Sequence, residues 1–242
     1  MFKRKRKEPM VGEYQKPPKE PMSKTKKIAI AVVSFSLGLF IAIAAFFFSM
    51  FYVQKDYEYV ADFVNLPAPV QVDTTGEETK YIDDYEIKME FKAEYTLCGL
   101  VVEKYHYFPY KMINKLSQYD FGVVWGPLLG EDLEKSMTFK NKGNRFLHYT
   151  YTNALTAKLG SKKAVTDSLS NSHMIHADNH VLKLFRNVKE GDYIKIEGYL
   201  VYVTYESATK RGTWNSSLVR TDHGDGACEI IYVTNVTWLK LK

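Results

Sequence analysis

The chain has 242 residues and a net charge of +5, from 33 basic and 28 acidic side chains; that is room for a tail, one membrane span and one medium-sized domain, but not for two globular domains as well. Ten of the Lys and Arg and three of the Glu precede Ile28, and taking these from the totals leaves 23 basic and 25 acidic residues, about −2, for the rest. A domain without positive excess lacks the surface that a phosphate backbone needs, so nucleic acid is not an expected partner.

Residues 1–27 read as a disordered basic tail, because Pro9, Pro17, Pro18 and Pro21 stand among lysines in a segment that cannot bury apolar surface. From Ile28 to Val53 no side chain is charged, and roughly 20 such residues suffice to cross the hydrocarbon of a bilayer. Residues 28–53 are therefore expected as a transmembrane helix. A cleavable signal peptide would have a shorter apolar region ending in small residues, whereas Phe46, Phe47, Phe48, Met50 and Phe51 crowd this end. Lys3 to Lys7, Lys24, Lys26 and Lys27 lie on one flank and Lys55 on the other, which predicts a signal anchor with its N-terminus in the cytoplasm. Tyr52, Tyr57 and Tyr59 would sit at the outer interface, 54–80 would form a stalk carrying Pro67 and Pro69, and 81–242 an extracytoplasmic β-rich domain.

An aromatic share of 14%, led by 18 tyrosines, favours sheet over helix in that domain. Tyr85, Ile87, Met89, Phe91, Ala93, Tyr95 and Leu97 alternate with charged or polar residues, the period of a half-buried strand, and Leu100 to Val102 extend it past Gly99. Pro109 to Gln118 suits a short helix, and Phe121 to Trp125 a buried strand stopped by Gly126 and Pro127. Phe139 to Tyr151 reads as a hairpin turning at 140–144, while 152–172 is polar and weakly helical. Asp178 or Asn179 caps a helix presenting Val181, Leu184, Phe185 and Val188 on one stripe, ending at Gly191. Strands are then expected over Tyr193 to Tyr205, Thr213 to Val219 after a turn at Gly212, and Ala227 to Leu239. The fold class this predicts is mainly β with one or two helices, a small OB-like or related barrel preceded by one transmembrane helix.

Trp214, Ser216, Ser217, Leu218, Arg220, Asp222, Gly224, Gly226, Cys228 and Glu229 spell W-x-S-S-L-x-R-x-D-x-G-x-G-x-C-E. Upstream stand Asn171, His173, Ile175 and Ala177, and Asp120 with Trp125 and Gly126. With these motifs the chain resembles a group of uncharacterised bacterial proteins, membrane-anchored or exported, over about Tyr95 to Val236. His176 departs from that group's pattern, where proline is expected. The resemblance implies an envelope location and a β-rich fold, and no reaction.

His173, His176, Asp178 and His180 have a spacing that raises a zinc site, but around a capped helix start they would fan apart, and a polar loop with one core histidine is the expected outcome. Ser217 or Cys228 with His173 supplies a nucleophile and a base without a G-x-S-x-G elbow. Arg220 and Asp222 suit a clamp closing a glycine turn, and Trp214 and Trp238 suit the core. Cys98 and Cys228 are the only cysteines, and whether they bridge depends on strand geometry bringing their Cα atoms within about 7 Å. No cofactor is expected.

The function this supports first is a membrane-tethered envelope module that binds a small molecule or a protein partner through Asn171, His173, Ser216, Ser217, Arg220, Asp222 and Glu229, with the lipid bilayer as its other partner. A hydrolase or metal-dependent enzyme using His173 with Ser217 or Cys228 is the alternative, and nucleic-acid binding on an OB-like barrel is disfavoured by the charge balance.

Overall fold

The computed structural model describes residues 21–51, 53–222, 224 and 227–242, and the chain divides into two compact units, Met1–Met50 and Phe51–Lys242. Most of the basic tail thus lies outside the described residues. The described part of the first unit is helix α1 (Lys24–Phe51). Its stretch Lys24–Ser49 is long and apolar enough to cross a membrane, with mean hydropathy 2.6 and none of its most apolar window buried. A soluble core helix would hide one stripe against protein; here Val33, Phe35, Phe40 and Phe48 are all exposed.

The second unit contains strands β1 (Tyr57–Val60), β2 (Val70–Ile82), β3 (Tyr85–His106), β4 (Tyr119–Val124), β5 (Met137–Asn141), β6 (Leu147–Tyr151), β7 (Leu169–His176), β8 (Tyr193–Glu206), β9 (Arg211–Asn215) and β10 (Glu229–Leu241). Short helices α2 (Met112–Leu116), α3 (Leu133–Ser136), α4 (Asn153–Leu159) and α5 (Lys162–Thr166) lie in its connections, and α6 (Asn179–Asn187) joins β7 to β8. Five strands pair in a ring: β3 with β4, β4 with β7, β7 in parallel with β10, β10 with β8, and β8 back to β3. Parallel pairing of the third and fifth ring strands, with a helix between the third and fourth, makes this an OB-like barrel. Because β1, β2 and β9 lie outside the ring, the sheet keeps open edges.

The ring forms because its long strands bend. β3 shifts register at Phe91/Ala93 and again at Val101/Glu103, so its first half pairs with β2 and β8 and its second with β4. Gly198 of β8 faces the carbonyl of Tyr232 so closely that a Cβ there would meet it, and Val233 Cα would stand 2.9 Å away. Only glycine lets β8 and β10 approach at that corner. Inside, Leu97, Phe121, Trp125, Ile196, Val233 and Val236 pack with Val181, Leu184 and Phe185 of α6. The Asp178 carboxylate accepts from Val181 N at 2.9 Å, the expected cap, which starts α6 where its apolar stripe enters the core. Burying Phe185 alone stabilises by about 2–3 kcal/mol.

Three expectations need correction. Residues 54–80 are not a stalk, since β1 runs parallel to the end of β10 and β2 pairs with β3 along its length. Gly212 lies within β9, and the turn is at Ser207 to Lys210, where Ser207 N donates to Lys210 O. Residues 169–176 form neither loop nor helix but the ring strand β7, whose polar side chains point into the protein.

Candidate active site

The centre lies on β4 and β7, the second and third ring strands, beside the connection from β3 to β4, which carries α2, and the described part of the connection from β8 to β10, which carries β9. This is the face and these are the loops that OB-like barrels use for ligands. Asp120 and His173 are register partners on the two strands. Their side chains are 1% and 3% exposed, and His173 Nδ1 meets Asp120 Oδ1 at 2.8 Å. With Nδ1 engaged, Nε2 is the ring nitrogen left for Cys228, whose thiol just before β10 acts on the imidazole and adds to the rise in its pKa. Cys228 is a partly exposed free thiol. Carboxylate, imidazole and thiol thus follow one another from core to surface.

Asp120 is held by two further groups. Tyr107 donates its hydroxyl to Oδ2 at 2.8 Å, and Arg145 donates Nη1 to Oδ1 at 2.8 Å. Arg145 also reaches the Ser117 hydroxyl, the Ser117 carbonyl and Asn114 Oδ1, and stacks 3.6 Å from the Tyr107 ring centre. Its backbone sits in the left-handed region at φ 68°, the kind of strain that surrounding contacts must hold in place. Trp214 covers the imidazole, ring centres 5.0 Å apart.

The electrostatics follow from these contacts. Burial works against a charged imidazole, but the charge and hydrogen bond of Asp120, aided by Cys228, outweigh it and raise the His173 pKa to about 9. Burial likewise opposes the Asp120 anion, and His173, Arg145 and Tyr107 overcome it, holding the carboxyl below its ordinary range. At neutral pH the pair is an imidazolium and a carboxylate.

A cleft of about 260 Å³ opens over Cys228, lined among others by Asn171, Glu229, Arg220, Asp222 and His148. Asn171 Nδ2 donates to Arg145 O at 2.9 Å and stands 3.7 Å from Cys228 Sγ. Only an NH2 satisfies that carbonyl, so the amide's orientation is fixed. Glu229 is buried with Oε2 unpartnered, and burial lifts its carboxyl to about 7. A larger cavity of about 670 Å³ lies against Arg145, Tyr107, Tyr85, Tyr205 and Trp214.

Of the residues expected at a site, Asn171, His173, Cys228 and Glu229 converge, with Arg220 and Asp222 along the cleft. Ser217 does not approach as a nucleophile: its hydroxyl donates to Asp222 Oδ2 at 2.6 Å. Ser216 is structural, accepting from Ile230 N and donating to Ser217 O. The metal candidates disperse, since three residues along a strand put His173 and His176 on opposite faces and Asp178 is spent on the α6 cap. Among the described residues no group of three or more His, Cys, Asp or Glu is placed to hold a metal ion. His176 is pressed down to about 4 by burial and the Lys80 cation. Cys98 and Cys228 are not bridged. Trp238 is buried as expected, but Trp214 covers His173 rather than filling the core.

Sequence reading missed Arg145 and Tyr107. Both stand beside short polar turns, and no spacing ties either to Asp120. Comparison with protein-family models, with curated proteins and with solved structures gives no match, so a functional reading rests on this geometry.

Proposed function

We propose that this chain is a membrane-anchored thiol enzyme of the bacterial envelope, transferring or hydrolysing an acyl group through Cys228. The observation that carries the proposal is the buried Asp120–His173 pair with the partly exposed Cys228 acting on its imidazole. A thiol nucleophile is activated by a base or a fixed positive charge beside it, and a third group must hold that partner in place; here a buried carboxylate holds an imidazolium. In the reaction, Cys228 Sγ, its proton given up to solvent and its negative charge opposed by the His173 imidazolium, attacks a carbonyl carbon, and the imidazolium gives its proton to the leaving group as that bond breaks. Water or a second acceptor, deprotonated by the then neutral imidazole, resolves the thioester. Asn171 Nδ2 is a donor beside the sulfur for the developing oxyanion.

The anchor and its direction belong to the same reading. An apolar α1 with basic residues ahead of it supports a single pass through the cytoplasmic membrane, N-terminus inside and the β domain in the periplasm. Asp120, Asn171, His173, Cys228 and Glu229 are also among the residues that carry the resemblance to uncharacterised envelope proteins, which supports membership of that group. The test is direct. Full-length protein in detergent micelles, given p-nitrophenyl acetate, should release nitrophenolate and carry an acetyl group on Cys228 by mass spectrometry. Cys228→Ala and His173→Ala should lose both, and wild type no faster than Cys228→Ala would contradict the proposal.

A second reading, a non-enzymatic binding module, is favoured by the larger aromatic-lined cavity between the two loops. It predicts that His173→Ala lowers the melting temperature and alters no turnover.

A further inference from the structure

Among the described residues, three buried oxygens around the cleft at Cys228 have no hydrogen-bond partner: Glu229 Oε2, Asn171 Oδ1 and Tyr95 OH. Buried polar atoms are normally satisfied, and an orphan left in a native structure needs an explanation. Glu229 and Asn171 are 4% and 8% exposed, and both line the cleft over Cys228. Their free oxygens are acceptors awaiting donors. The Asn171 amide cannot turn to hide its oxygen, because its nitrogen holds Arg145 O.

The charges around Glu229 decide what kind of donor fits. Asp222 and Arg220 face it from the loop before β10, His173 from β7, Tyr95 from β3, and His148 lies across the cleft. Arg220 is exposed, so its cation is at the rim, while the Glu229 carboxyl is at the floor. His173 is already paired with Asp120. The groups left to meet a ligand at depth are a carboxyl and an amide oxygen.

Resting on the thiol-enzyme reading, we infer that Glu229 and Asn171 form a subsite for a primary amine, so that the substrate class is an acyl compound bearing an ammonium group close to the carbonyl that Cys228 attacks. An incoming ammonium supplies N–H donors to Oε2 and Oδ1 and gives the buried carboxyl a counter-ion. At its raised value of about 7, Glu229 is divided between neutral and ionised forms near neutrality, ready to ionise when a cation arrives.

The test uses two reagents that leave different charges on the same sulfur, 2-aminoethyl and 2-sulfonatoethyl methanethiosulfonate. The Cys228 thiolate attacks the sulfenyl sulfur, a mixed disulfide forms, and methanesulfinate leaves. Rates are measured on full-length Cys98→Ser protein in micelles, relative to free cysteine, at about pH 5.5 and about pH 8, an interval in which His173 stays largely charged. The ratio of ammonium to sulfonate reagent should rise about tenfold across it, the size of one charge-assisted hydrogen bond, and Glu229→Gln should abolish the rise. An equal rise in Glu229→Gln overturns the subsite and leaves the thiol-enzyme reading standing. Should that variant fail to fold, a flat ratio in the Cys98→Ser parent overturns the subsite instead. A Cys228 that reacts with neither reagent overturns the nucleophile and the subsite together.

Discussion

Cys98 and Cys228 are free thiols of the same domain, and both are partly exposed, yet their surroundings differ in kind. Cys98 lies on β3 opposite Lys195, packed against an apolar cluster that includes Leu66 and Leu128. Burial pushes its thiol up to about 11, and the Lys195 cation offsets only part of that. Cys228 stands at the head of β10 beside an imidazolium that a buried carboxylate holds in place. The difference teaches that exposure alone does not mark a reactive cysteine. What matters is whether a charge has been built beside it, and here that charge depends on the Asp120 carboxylate, which the Arg145 guanidinium and the Tyr107 hydroxyl hold in place.

The comparison breaks most severely at its base. Asp120→Ala leaves the imidazolium and Arg145 buried without their anion, and should cost about 3–5 kcal/mol in chemical denaturation. It should also slow alkylation of Cys228 while leaving Cys98 as slow as before.

Next in size is the pH dependence of stability. The His173 pKa is raised in the folded state, so its contribution is complete below about 6.5 and fades as pH rises through about 9, a loss of about 3 kcal/mol. Asp120 is depressed, so its contribution is present above about 4 and fades as pH falls below that. Melting curves should therefore show a decline above pH 7 that His173→Phe removes.

Glu229 sharpens the contrast from the other side. A carboxyl raised to about 7 favours folding only while protonated, so ionisation between about 4.5 and 7 should be destabilising. Glu229→Gln should raise stability by about 1–3 kcal/mol near pH 8 and change little near pH 4, by denaturant titration. The smallest effect belongs to Cys98→Ser: under about 1.5 kcal/mol of stability, and no change in the alkylation rate of Cys228.

Much of the barrel was legible in the sequence because its elements obey simple periods. Tyr85 to Leu97 alternates strictly, and Asp178 announces α6 both by its cap and by the stripe of Val181, Leu184 and Phe185. β7 was not legible, because Ser170, Asn171, Ser172 and His173 place consecutive polar side chains inside the protein, where the rule of apolar burial fails. That failure itself marked the site. β2 escaped for the opposite reason, being exposed on both faces along most of its length, so that no alternation records its pairing. His173 and Cys228 were singled out as types, whereas their alignment with Asp120 depends on register between β4 and β7 and on the parallel pairing of β7 with β10. Long-range register is not written in local spacing. The apolar N-terminal helix is the clearest signal of all, because hydropathy needs no partner to be read.

The central claim is that His173 and Asp120 make Cys228 a nucleophile. Its most direct measurement is the rate of Cys228 alkylation by iodoacetamide between about pH 5 and pH 10, in wild type and in His173→Ala. Wild type should change its rate near pH 9, where the imidazolium loses its proton; His173→Ala should react at least about tenfold more slowly than wild type at pH 6.5, with Cys98 unaffected in both. Superimposable pH profiles for the two proteins would contradict the account.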